Sequence, residues 1–210
     1  MSEVWGRILS IVEAIRRDPG WMPKVLLGCL LSFVPFVNIF SLGYLYRYFG
    51  RARRLGQWKL PPWDDWERLL INGLYFLAIW IAYGWLPVLV ASLLAGLLDF
   101  LTGGWFALLW AVLVWVVFAV SLAATAAALW RFQENDRRWQ TLLQVEAILR
   151  LMAREWKLML GPTLAFAALL MLLAPLYGIV AFAGGTLYLG LAATIFARGP
   201  YGADTYSMVN

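Results

Sequence analysis

The sequence predicts an all-α integral membrane protein, and three observations carry that prediction. Of its 210 residues, 63% are hydrophobic and only 14% are charged, whereas soluble domains carry about 25% charged residues. Several uncharged runs reach the length needed to cross a bilayer, about 20 apolar residues. The 17 Lys and Arg residues gather in the polar segments between these runs. We predict four full transmembrane helices as two hairpins, one re-entrant helical hairpin and two interfacial amphipathic helices, in a single membrane domain of residues 1–210.

Residues 1–20 are predicted to form the first interfacial helix. Apolar side chains recur at steps of three and four from Val4 to Ile15, with charged residues on the other face, a pattern typical of an amphipathic helix. Trp5 and the basic residues favour a position in the membrane interface. Packing of this helix on a partner protein stays open as the alternative.

Residues 25–46 are the segment on which the predicted topology depends. They are uncharged and long enough to span once, but Pro35 and Asn38 interrupt them and basic residues flank both ends. The positive-inside bias would keep both flanks on the cytoplasmic side. We therefore predict a re-entrant hairpin that turns near Pro35 and Asn38, with a single span as the alternative.

Two longer regions are predicted to be transmembrane hairpins. Residues 69–130 hold two apolar runs around a turn at 98–104, with Pro87 as a kink in the first run. Residues 158–197 form one uncharged run, which as a helix would be roughly 60 Å long, twice the thickness of a bilayer core. We therefore expect two spans there, with a turn near Pro175.

The polar segments determine the predicted orientation. Residues 131–157 carry apolar side chains at steps of three and four, which predicts a cytoplasmic interfacial helix, and residues 198–210 form a short polar tail. Lys and Arg number four in the N-terminal region, six in 47–68, six in 131–157 and one in the tail. The turns at 98–104 and 174–178 contain none. Both termini are therefore expected on the cytoplasmic side.

The apolar runs lack the side chains that usually carry catalysis. The sequence has no His and a single Cys, Cys29, so His-ligated metals, His bases and an intrachain disulfide are excluded. The predicted spans contain no Asp, Glu, Lys or Arg, although transporters usually place such residues inside the bundle. We predict that the protein is not an enzyme and has no cofactor or metal, with a bound lipid, quinone or pigment left open.

Two groups of residues are candidate sites. The first is a structural motif or a surface for a protein partner, and its members are Pro35, Asn38, Trp63, Asp64, Asp65 and Trp66. Within it, Asp64 with Glu67 resembles a capping box for the following helix. The second group is predicted to contact lipid headgroups, since basic residues beside apolar spans attract anionic lipids more readily than nucleic acid. Its members are Arg47, Arg51, Arg53, Arg54, Arg137 and Arg138.

Between residues 18 and 73 the sequence contains Asp18-Pro19-x-Trp21 with Lys24, Pro35, Asn38, Gly43-Tyr44 with Arg47, Leu60-Pro61-x-Trp63-Asp64-Asp65-Trp66, and Gly73. In these residues the segment resembles an uncharacterised membrane family called domain of unknown function 4013. The resemblance implies a prokaryotic multi-pass protein, hence one in the cytoplasmic (inner) membrane. It implies no activity.

The sequence favours a non-catalytic multi-pass membrane protein that acts by packing. It would be an accessory or structural subunit of a larger membrane complex, or a self-associating scaffold. Expected partners are membrane lipids, including anionic headgroups, and other membrane subunits or itself, with no nucleic acid. The alternative is a small transporter or permease component that uses backbone groups at the broken hairpin near Pro35 and Asn38.

Overall fold

The structure, a computed structural model, describes residues 2–197, and in them the chain forms helices joined by short turns and no strand. The main helices are α1 (Ser2–Arg16), α2 (Trp21–Phe33), α3 (Asn38–Leu55), α4 (Trp66–Leu101), α5 (Ala107–Glu134), α6 (Val145–Leu172) and α7 (Ala174–Phe196). A short 3₁₀ helix, Trp139–Leu143, lies between α5 and α6. The predicted polar tail, residues 198–210, lies outside the described residues.

Four of the helices in residues 2–197, α4 to α7, are long and apolar enough to cross a membrane. The predicted all-helical class with four helices of spanning length is therefore confirmed. In its most apolar window α7 is 67% buried, against 11% to 22% for the other three. Because α7 packs against α1, α2, α3, α5 and α6, it is the central helix of the fold.

The contact between α3 and α4 depends on two glycines. A Cβ atom at Gly43 would lie 1.9 Å from the carbonyl oxygen of Leu69, and one at Gly73 would lie 2.0 Å from that of Ile39. Both obstacles are backbone atoms, which cannot rotate away as a side chain can. Small residues that let two backbones touch are typical of helix packing in membranes.

Phenylalanine rings pack directly on glycines where α2 meets the first half of α7. A Cβ atom at Gly28 would lie 2.0 Å from the ring of Phe182, and one at Gly178 would lie 2.6 Å from the ring of Phe33. The hydroxyl of Tyr177 also donates to the Phe33 carbonyl (3.2 Å). The hairpin formed by α2 and α3 is therefore docked on the central helix through the second half of α2, from Gly28 to Phe33.

Helix α6 begins earlier than the sequence analysis places the corresponding span. The amphipathic segment expected as a separate interfacial helix within 131–157 is continuous with that span from Val145 to Leu172. No Gly or Pro lies between Val145 and Leu160, so nothing in that stretch ends the helix. An ion pair one turn apart, Arg150 with Glu146 at 2.5 Å, stabilises its first turns.

Helix α4 passes Pro87 without ending. The five residues Ile81–Trp85 form a π turn, in which the Leu86 N–H donates to the Ile81 carbonyl. Because Pro87 has no N–H and its ring crowds the carbonyl four residues earlier, a wider turn placed just before it absorbs the disruption. The expected kink thus takes the form of a π turn.

We expect the substitution Gly43→Ala to destabilise the protein, because the added methyl group would collide with the Leu69 carbonyl. Overpacking of a close contact costs roughly 1–3 kcal/mol, and rigid backbone on the other side favours the upper end of that range. The matched control is Gly96→Ala on α4, where nothing lies within 4 Å of an added Cβ. Thermal unfolding midpoints in one detergent compare the two variants, and equal midpoints would contradict this contact.

Candidate functional site

The loop before α4 is anchored through the Trp63 cluster, which we define as Asp18, Lys24, Tyr44, Pro61 and Trp63. The indole N–H of Trp63 donates to the Lys24 carbonyl at 3.0 Å. The Trp63 ring stacks on Tyr44, with centroids 4.2 Å apart and planes inclined by 20°, and the Tyr44 hydroxyl donates to the Pro61 carbonyl at 2.8 Å. The loop is therefore fixed to α2 and to α3 at once.

A partly buried ion pair completes the Trp63 cluster. The Lys24 ammonium lies 2.6 Å from Asp18 Oδ2 and also donates to the Leu60 carbonyl at 3.2 Å. Asp18 is only 8% exposed, so Lys24 rather than water is the main partner of its carboxylate. The pair connects the turn between α1 and α2 with the loop before α4.

The two adjacent carboxylates have separate roles. Asp65 is the N-cap of α4, and its Oδ1 accepts a hydrogen bond from the Arg68 N–H at 3.3 Å. Asp64 instead pairs with Arg47 through Oδ1 at 2.5 Å. The helix cap expected at Asp64 is therefore at Asp65, because α4 begins one residue later than the capping box requires.

The remaining residues of the first candidate group lie around this cluster or at the hairpin turn. Trp66 is the first residue of α4, with its ring centroid 5.9 Å from that of Trp63. Pro35 is exposed in the turn between α2 and α3, and Asn38 is the half-buried first residue of α3. Near the break, the Ser41 hydroxyl donates to the Gly28 carbonyl of α2 at 3.0 Å. This hydrogen bond joins the two helices of the hairpin.

A second site lies at the end of α3, where five of the six predicted headgroup arginines border one pocket. We call this pocket of about 140 Å³ the arginine pocket, and its lining is Tyr46, Arg47, Gly50, Arg51, Arg53, Arg54, Asn72, Gln133 and Arg137. The α3 residues recur at steps of three and four, so they share one helix face. Arg138 is exposed and does not line the pocket.

Hydrogen bonds and ring contacts order this pocket. Arg53 Nη2 donates to the Gln133 carbonyl at 2.8 Å, and Gln133 Nε2 donates to the Tyr46 carbonyl at 2.9 Å. The Arg137 guanidinium lies over the rings of Tyr46 and Tyr75, 5.7 and 5.8 Å from their centroids, within the range of cation–π attraction. The three uncharged polar residues of the lining, Tyr46, Asn72 and Gln133, come from three different helices, so no pattern in the sequence brings them together.

Positive charge in the arginine pocket is only partly balanced by the protein. Arg47 pairs with Asp64, but among the described residues no carboxylate forms a salt bridge with Arg51, Arg53, Arg54 or Arg137. Burial lowers the pKa of the Arg53 guanidinium, and the nearby Glu134 carboxylate opposes that shift. A pocket with this surplus of guanidinium groups is suited to an anion.

Comparison with known proteins gives a family and no activity. The model of the family described as "Protein of unknown function (DUF4013)" matches residues 27–189, which hold the arginine pocket and most of the Trp63 cluster. No curated protein and no solved structure matches the chain. Most of the likeness seen between residues 18 and 73 falls within this match, which covers most of the chain.

We expect Asp18→Asn to destabilise the protein strongly, because it leaves the Lys24 ammonium without its buried partner. Breaking a fully buried pair from one side costs about 3–5 kcal/mol, and we expect the lower end of that range because the Lys24 side chain is 21% exposed and keeps the Leu60 carbonyl. An exposed pair contributes roughly 0–1 kcal/mol. Asp64→Asn is the matched control, since the Asp64 side chain is 57% exposed in its pair with Arg47. Both variants are compared with the parent by thermal unfolding in detergent. Equal decreases of the unfolding midpoint in the two variants would contradict a special role of the Asp18–Lys24 pair in stability.

Proposed function

We propose that this chain, which belongs to the DUF4013 family of unknown function, is a non-catalytic multi-pass membrane protein that acts by packing. It packs as an accessory or structural subunit of a larger membrane complex, or as a scaffold built from copies of itself. The observation that carries this proposal is the distal half of α4, which in residues 2–197 packs mainly on α5 and on the π turn before it and is otherwise left uncovered.

The distal half of α4, Leu86–Leu101, packs mainly on α5 and on the π turn before it. Ala95 is its one buried residue. Its exposed leucines are Leu86, Leu89, Leu93, Leu94, Leu97, Leu98 and Leu101. An exposed apolar surface of this extent is typical of contact with a membrane or with another protein.

Small residues on this hairpin would let a partner helix approach closely. Ser92 and Gly96 are both exposed and lie four residues apart on α4, a spacing that favours close helix packing in membranes. Nothing lies within 4 Å of a Cβ placed at Gly96. A helix of another subunit could therefore reach the α4 backbone here.

The α2–α3 hairpin supports a re-entrant topology. The start of α2 and the middle of α3 lie at one level, because Lys24 and Tyr44 both contact Trp63. From Lys24 to Phe33 the helix extends only about 15 Å at 1.5 Å per residue, half of a bilayer core of about 30 Å. Phe36, in the turn, is 88% exposed, as suits a residue that faces lipid.

In this proposal the chain is one membrane domain in a prokaryotic inner membrane. The basic segments and both termini are cytoplasmic, as the positive-inside bias favours. Helix α1 and the charged first turns of α6 lie in the membrane interface. The hairpin of α2 and α3 enters and leaves on the same side.

Cysteine accessibility tests the topology. In a Cys29→Ser background, we expect Ser2→Cys and Gln57→Cys to react with a membrane-impermeant maleimide from one side of sealed vesicles, because the hairpin between them returns. Thr102→Cys, in the turn of the α4–α5 hairpin, is expected to react from the other side. Reaction of the Ser2 and Gln57 variants from opposite sides would make the segment 25–46 a single span.

The mass of the gently extracted particle tests the packing. We expect the chain to leave native membranes with other subunits, or with further copies of itself, in a fixed ratio. Gly96→Leu is expected to dissociate that particle without lowering the unfolding midpoint, because it adds bulk only on the outer surface. Gly161→Leu on α6, which also has nothing within 4 Å of an added Cβ, is the matched control and is expected to leave the particle intact.

A monomeric particle would contradict the packing proposal. In that case solute flux in proteoliposomes becomes the informative measurement. Flux that is lost in the variant Asn38→Ala would favour the permease alternative.

A further inference from the structure

We infer that the arginine pocket binds a phosphate group, carried by the headgroup of a membrane lipid or by a soluble phosphate compound. This site goes beyond the packing function and does not depend on it. Four guanidinium groups without a salt-bridge partner among the described residues border a pocket of about 140 Å³, and a bound anion would offset their mutual repulsion.

The type of basic residue indicates the type of anion. Every charged side chain of the lining is an arginine. The planar guanidinium group presents parallel N–H donors that match the oxygens of phosphate, whereas lysine presents a point charge. A phosphate group offers several acceptor oxygens and can therefore engage guanidinium groups from opposite walls of the pocket at once.

Buried polar atoms in the lining lack hydrogen-bond partners within the described part of the chain. Tyr46 is 3% exposed, yet its hydroxyl is unpaired, and so is Arg53 Nε. Gln133 Oε1, a buried acceptor of the same lining, is unpaired as well. Buried polar atoms are normally satisfied, and a phosphate group offers acceptor oxygens to the two donors.

The backbone at the rim of the pocket is held in an uncommon conformation. Asp136 and Arg137 have φ values of 50° and 63°, in the left-handed region that side chains other than Gly rarely adopt. This conformation places the Arg137 guanidinium over Tyr46 and Tyr75. Arg137 is exposed, but these ring contacts hold its guanidinium at the rim of the pocket.

The surface beside the pocket suits a lipid as the source of the phosphate. Asn72 contributes to the lining, while its neighbours on α4, Ile71 and Leu74, are exposed apolar residues. A phosphate in the pocket would therefore lie where the surface changes from arginine-rich to apolar. The acyl chains of a phospholipid could follow α4 from that point.

The test measures ligand binding to the full-length protein in a non-ionic detergent, by native mass spectrometry and by ligand-dependent thermal shift. The probes are short-chain phosphatidic acid, inorganic phosphate, and a diacylglycerol with the same chains and no phosphate. We expect phosphatidic acid to bind and diacylglycerol not to bind. Tighter binding of phosphatidic acid than of inorganic phosphate identifies a lipid headgroup as the source, and equal binding identifies a soluble phosphate.

Two neighbouring arginines give a matched pair of variants. Arg137→Gln is expected to weaken phosphatidic acid binding by at least about tenfold, the loss typical of one charge-assisted hydrogen bond. Arg138→Gln removes the same charge one residue away, outside the lining, and is expected to weaken binding less than about threefold because surface charges are screened. Tyr46→Phe removes one hydroxyl and no charge, and is expected to weaken binding several-fold.

Two results would overturn the inference. One is the absence of binding by both phosphate probes. The other is an equal loss in the two arginine variants, which would indicate diffuse attraction to a basic surface. Circular dichroism and unfolding midpoints establish that each variant is folded, and Tyr46→Phe tests the site if Arg137→Gln does not fold. The packing proposal is tested by the mass of the extracted particle, so the absence of phosphate binding would not contradict it.

Discussion

The backbone contact between α3 and α4 is the constraint on which the rest of the structure depends. Gly43 and Gly73 let the two helices touch, and this fixes how one is placed along the other. Tyr44, next to Gly43, then reaches the loop that leads into α4. Asn72, next to Gly73, reaches the pocket at the end of α3. One crossing therefore positions both the Trp63 cluster and the arginine pocket, and a shift of either helix would separate the residues of each.

The Trp63 cluster gives the polar residues of the loop before α4 a structural role in an otherwise apolar fold. The loop before α4 contains backbone carbonyls that must find donors where water is scarce. Lys24 and Tyr44 satisfy the carbonyls of Leu60 and Pro61, and Trp63 in return satisfies the Lys24 carbonyl. These residues are among those that carry the family resemblance, and the geometry gives them a structural reason. They hold a loop, and no reacting group is needed to account for them.

The sequence predicts those features that depend on local pattern. The four long apolar helices follow from uncharged runs, and the break between α2 and α3 follows from Pro35 and Asn38 in such a run. The start of α6 at Val145 could not be found this way, since an amphipathic turn has the same pattern in an interfacial helix and at the end of a span. The arginines of the pocket could be recognised as a basic group. Their convergence with Asn72 and Gln133 could not, because it depends on how three helices cross.

The two polar sites use basic residues in opposite ways, and this separates structure from binding. Lys24 is neutralised by Asp18 and donates to a carbonyl, so the protein itself completes its surroundings. In the arginine pocket guanidinium groups outnumber their carboxylate partners, and three buried polar atoms, Arg53 Nε, the Tyr46 hydroxyl and Gln133 Oε1, stay unpaired in the described fold. A polar network whose members are all hydrogen-bonded stabilises the fold without a ligand. Buried polar atoms without partners instead lower the stability of the fold until a ligand binds them. This difference is the reason that we infer a ligand for the arginine pocket and none for the Trp63 cluster.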